Sequence, residues 1–195
     1  MKAKATAKEI YEGVARATNT PLATVQQLKR RLVETRAWPS SRGAHVPKLD
    51  VDDLVLILLA LLSGAEFRDC VAAARRYWGL RDAHGQKLGD VLVRAVNSFH
   101  PNLQDLPFAV LAYKAVVTID TNVQRATITY QSNGGSFDAV FGGPSPAWQD
   151  VRVRRSQSIS GKRLFDLAAI IFKDRWDAHA LQAASQQDST KEQFS

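Results

Sequence analysis

The hydrophobic and polar positions follow two regimes along the chain: a helical period up to about residue 104, and strand-like alternation after it. Residues 1–6 read as a loose basic arm. Between Ala7 and Ala17, the residues Ile10, Val14 and Ala17 recur at helical spacing, with Lys8, Glu9, Glu12 and Arg16 elsewhere. Thr18-Asn19-Thr20 breaks this pattern with side chains that favour turns. Thr20 followed by Pro21 marks a helix start, a hydroxyl that can accept an orphan amide and then a residue with none to offer. The next helix is expected over 21–37, with Leu22, Val25, Leu28, Leu32 and Val33 inward and Thr24, Gln26, Gln27, Lys29, Arg30 and Arg31 outside the stripe. Trp38-Pro39 ends it. Asp50 or Asp52 can cap a helix from Val51 to Leu62 that is apolar nearly all round, closed by Ser63-Gly64. Such a helix must be buried, as the spine of a core or in a dimer interface. Two more helical patterns follow, 65–80 with Phe67, Val71, Ala74 and Trp78 inward, and 87–99 with Leu88, Val91, Leu92, Ala95 and Phe99 on one face.

Beyond Leu106-Pro107 an apolar stretch, PFAVLAYKAVV, leads into β-type sequence. Residues 116–120 and 126–131 are rich in Val, Ile, Thr and Tyr and read as a hairpin; 136–141 forms a third strand and 151–159 a fourth. A helix is expected over 161–178, with Leu164, Leu167, Ala168, Ile171 and Phe172 inward, and a Gln/Ser-rich, disordered tail from residue 181. The fold class is therefore α+β. An all-helical first domain (1–104) holds a helix-turn-helix, with or without a wing, and a second domain (107–180) pairs a small antiparallel sheet with a covering C-terminal helix.

Composition changes this picture little; the placement of charge changes it more. Cys70 is the only cysteine, which excludes an intramolecular disulfide framework and fits a reducing compartment. The N-terminal stretch lacks the uninterrupted apolar core of a signal peptide, and the longest apolar run, 54–62, is roughly half a membrane span. A soluble, cytoplasmic protein is expected. The net charge is +7, and residues 1–50 hold ten Lys/Arg against four Asp/Glu, while 51–115 hold seven of each. Nearly all the excess surrounds the helix at 21–37, as expected for a partner made of phosphates.

The same helix carries the candidate chemistry. Ahead of its basic residues, Thr20, Ala23, Thr24, Gln26 and Gln27 are short or bear amides, and a Gln amide can make a paired hydrogen bond to adenine. Lys29, Arg30, Arg31 and Arg36 lie further along, suited to phosphates. The loop after Pro39 is either a plain interhelix connection or a wing whose Arg42-Gly43 tip would reach a narrow groove. The residues IYEGVARATNTPLATVQQLKRRLVETRAW, the Arg42-Gly43 loop and the helix opened by DVDDLVLILLALL together resemble winged-helix and related helix-turn-helix regulators of bacteria and phages. In the mercury-response activators among them, a recognition helix and wing are likewise followed by an acidic-capped apolar helix; the Arg-x-Tyr wing and metal-binding cysteines of that group are absent here. The resemblance implies that helix 21–37 reads DNA and that loop 39–48 supports it.

Catalytic patterns are missing. Ser160-Gly161-Lys162-Arg163 lacks the glycine frame of a phosphate loop, and His45, His84, His100 and His179 have no ligand spacing. No enzyme, cofactor or metal is expected. The expected function is sequence-specific binding of double-stranded DNA by a transcriptional regulator, as a homo-oligomer and preferably a dimer. The alternative is an oligomeric DNA-packaging component similar to phage small terminase subunits.

Overall fold

The computed structural model describes residues 4–40, 46–99, 106–132, 134–143 and 155–172. Among these, seven helices and two small antiparallel sheets form a mixed α+β fold. In chain order the elements are β1 (Ala5–Thr6), α1 (Ala7–Thr18), α2 (Leu22–Glu34), β2 (Lys48–Leu49), α3 (Val51–Leu62), α4 (Cys70–Gly79), α5 (Leu88–Ser98), α6 (Leu106–Lys114), β3 (Val116–Asp120), β4 (Arg125–Ser132), β5 (Gly135–Phe141), β6 (Ser156–Ser160) and α7 (Gly161–Phe172).

α3 occupies the middle of the helical part. Asp50 caps it by accepting from the Asp52 and Asp53 amides, and the Asp53 carboxylate accepts from the Asp50 amide in return. Eight of its twelve residues are buried, and α2, α4, α5 and β2 all pack on it. Its apolarity is thus accounted for within one chain. It ends where expected, at Ser63, with Gly64 in the left-handed region at φ +61°.

The N-terminal residues are more ordered than a loose arm. Ala5 is buried and pairs with Leu49, Thr6 pairs with Lys48, and Thr6 caps α1 in a reciprocal box with Glu9. Residues 1–3 lie outside the described residues. The helix expected over 65–80 starts only at Cys70: a separate turn, closed by the Asp69 amide on the Glu66 carbonyl, precedes it, and Phe67 is exposed, not inward. Residues 106–114 are helical where the sequence showed only an apolar stretch. A helix buried on several sides leaves no amphipathic period to read.

The four-stranded sheet has the order β5-β4-β3-β6, all neighbours antiparallel. Val117, Ile119, Ala126, Ile128, Tyr130, Phe141 and Ile159 alternate onto its buried face, with α6 against β4. The strands over 116–120 and 136–141 fall where expected; of the strand at 151–159, Ser156–Ser160 is seen and 151–154 lie outside the described residues. α7 returns to pack on α1, where Gly13 leaves room for Leu167 and Ile171. Edge-to-face contacts of Phe165 with Phe99 (5.4 Å) and Tyr113 (5.6 Å) join α7 to α6 and the end of α5. One hydrophobic cluster accordingly runs from Ala5 to Phe172. The 173–178 end of the expected last helix and the tail lie outside the described residues.

The tightest join is at Gly161, whose amide donates to the Ala115 carbonyl at 2.7 Å. A Cβ there would overlap the Ala112 carbonyl oxygen and crowd that of Tyr113, both backbone atoms that cannot swing aside. Gly161→Ala is therefore expected to lower stability by about 3 kcal/mol. Gly79→Ala, where a Cβ meets nothing within 4 Å, should be neutral or gain about 0.5 kcal/mol. Urea unfolding of the two variants against wild type checks both.

Candidate nucleic-acid interface

The turn between α1 and α2 is built by asparagine and threonines. Asn19 adopts φ +53°, a conformation Asn tolerates, and its amide bonds back to the Ala15 and Arg16 carbonyls. The Thr20 amide donates to the Ala15 carbonyl at 3.0 Å. The Thr20 hydroxyl does not cap α2 as the sequence suggested; it pairs with the Thr18 hydroxyl at 2.8 Å, and Thr18 in turn donates to the Val14 carbonyl. α2 starts one residue later than expected, its cap position held by Pro21, whose carbonyl accepts from the Thr24 and Val25 amides. Leu22, expected inward, is 44% exposed, because the helix buries Val25, Leu28 and Leu32 and the first turn projects past that stripe.

α2 also stops short of residue 37. Thr35 donates its hydroxyl to the Arg31 carbonyl, Arg36 turns left-handed at φ +56°, and the Trp38 amide reaches back to the Leu32 carbonyl at 2.9 Å. This reversal seats the Trp38 ring in the core with its indole N–H buried and unpartnered.

With Val25, Leu28 and Leu32 turned toward α1, α3 and α4, the opposite face is set by the helical period. Ala23, Gln26, Gln27 and Arg30 are all exposed there, at successive spacings of three, one and three, with Glu34 at the far end. Thr20, Thr24 and Lys29 are half-buried at its margin. Arg31 is placed differently from its neighbours. It pairs with Glu34 at 2.8 Å, and its charge is felt by Cys70 on α4, which sets it on the flank of the helix. Arg36 is exposed beyond the helix end, and Arg42 lies outside the described residues. So the structure gathers Ala23, Gln26, Gln27 and Arg30 on one open stripe, with Lys29 beside it, and separates Arg31 from them.

One feature at the start of α1 was missed in the sequence. The β1–β2 pair brings the chain, after the 39–47 loop, back beside the start of α1. Its only advance signal was the Thr6-x-x-Glu9 capping pattern, which fixes where α1 begins.

Elsewhere, reactive groups are muted. Cys70 is buried at the start of α4, donating toward the Phe67 carbonyl at 3.1 Å, and burial pushes its thiol pKa up despite the opposing charge of Arg31. Burial likewise raises the Asp53 carboxyl, which lines a cavity of about 310 Å³ with Asp52, Leu56, Arg75 and Trp78. Among the described residues no group of three or more His, Cys, Asp or Glu could hold a metal ion, and no helix is long and apolar enough to cross a membrane. Comparison with protein-family models, curated proteins and solved structures gave no match.

The raised thiol pKa has a direct consequence. At pH 8 the folded protein should resist a thiol-titrating disulfide reagent, and one thiol per chain should react on adding denaturant. Rapid labelling of the native chain would mean that the α4 start is open.

Proposed function

We propose that this chain is a sequence-specific double-stranded DNA-binding protein, acting as a transcriptional regulator, with α1, the Asn19 turn and α2 serving as a helix-turn-helix and α2 lying in the major groove. The observation that carries this reading is the exposed stripe Ala23, Gln26, Gln27 and Arg30 on a helix whose other side is anchored in the core. Short and amide side chains lead on this stripe, where base edges would be met, and cations follow, where phosphates would lie. The concentration of positive charge in residues 1–50 supports it, since that charge raises local attraction for a polyanion. The β1–β2 pair fits as well, because it holds Lys48 and Leu49, just after the loop proposed as a wing, beside the start of α1. The helix that lies against the sheet is α6, on β4, where the sequence had suggested the C-terminal helix; α7 packs on α1 and α6.

The reading is tested by fluorescence-anisotropy binding to random-sequence duplex DNA across a salt series. Lys29→Glu/Arg30→Glu should weaken binding and make the log–log salt slope shallower by about one to two, since each lost phosphate contact removes about 0.9. Gln26→Ala/Gln27→Ala should leave that slope unchanged, and on a selected target site should cost about 1–3 kcal/mol of discrimination. Weak binding indifferent to both pairs of substitutions would defeat the proposal.

A further inference from the structure

A second open surface lies between α1 and α7, reaching the Asn19 turn at one edge. Arg16, Ala17 and Asn19 form one wall and Arg163, Phe165, Asp166, Ala169 and Ile170 the other, around a groove of about 630 Å³. The walls come from opposite ends of the sequence and are held together by the seating of Ile171 and Leu167 against Gly13. Both arginines are exposed, and neither forms an ion pair among the described residues. α7 begins beside Arg163 with no acidic residue in its first turn, its Arg163 amide being capped by the Ser160 hydroxyl at 3.3 Å. The floor is different in kind: Ala17, Phe165, Ala169 and Ile170 are apolar, and Ile170 is 38% exposed, one of the few large apolar side chains open to solvent.

We propose that this groove docks an acidic amphipathic segment of a partner protein. Its carboxylates would take the two free guanidinium groups, and its apolar side chains would cover Ile170 and Ala17. Charge complementarity selects this occupant. A nucleic-acid strand would meet a mostly apolar floor offering few hydrogen-bond donors. A basic segment would meet two unpaired arginines. The inference does not depend on the DNA-binding reading.

The test uses the full chain and two fluorescent helical peptides of identical apolar pattern, one built from leucine and glutamate, the other from leucine and lysine, together with duplex DNA. Of the two peptides only the Leu/Glu one is expected to bind, weakened about tenfold or more by Arg16→Glu/Arg163→Glu and by Ile170→Asp, while duplex DNA affinity in the Ile170 variant matches wild type. Unfolding curves matching wild type show that each variant is folded. All the substituted side chains are solvent-exposed, and if one double variant unfolds, Arg163→Gln alone is read instead. Failure of the Leu/Glu peptide to bind, equal binding of both peptides, or binding indifferent to the variants overturns the proposal. So does loss of duplex DNA binding in Arg16→Glu/Arg163→Glu with peptide affinity unchanged, which would assign the arginines to phosphates.

Discussion

An α-helix that is apolar on every side can be kept from water only by wrapping it, and α3 imposes that requirement on the rest of this chain. Leu54, Val55, Ile57, Leu58, Leu59, Ala60 and Leu62 are all buried, so no single neighbour is enough to cover them. α2, α4, α5 and β2 each take a side, and the sheet, α6 and α7 extend the same core outward. Truncating one of these leucines to alanine would cost about 2–5 kcal/mol, a large part of a typical total of about 5–15 kcal/mol. Function is therefore best probed at the surface, where substitutions leave the fold intact.

Covering α3 also fixes what α2 can offer outside. Val25, Leu28 and Leu32 are committed to the core, and the 3.6-residue period then places Ala23, Gln26, Gln27 and Arg30 opposite them. Orientation of the candidate surface follows from packing, not from the charged residues themselves. The same logic removes Arg31 from that surface: one position after Arg30, it turns about 100° toward the α4 flank and finds Glu34. Three consecutive basic positions, Lys29, Arg30 and Arg31, thus split into different environments, and only a helix with a fixed inner face can do that.

What could be read in advance follows from the same physics. Amphipathic helices such as α1, α2 and α5 were legible because one face is wet, and β3 and β4 because their side chains alternate. α6 was not, since a helix apolar on several sides has no period to detect. The strand pair β1–β2 was invisible because two residues on each side carry no pattern, and its partners lie more than forty positions apart. The exposed stripe of α2 was readable almost whole, apart from the Arg31 pairing and the exposure of Leu22, which depend on where the helix starts. The α1–α7 groove was not readable at all. Arg16 and Arg163 meet only through tertiary packing around Gly13, and no local spacing reports that.

The claim that matters most is that α2 turns its outer face to DNA, and it can be mapped directly. Amide and side-chain NMR signals of the labelled full chain would be followed while random-sequence duplex DNA is added at low salt. The account predicts the largest shifts at Ala23, Gln26, Gln27, Lys29 and Arg30, with Arg31 less affected and the sheet residues 125–132 unmoved. Shifts centred on the sheet or on the α1–α7 groove, with α2 silent, would contradict it.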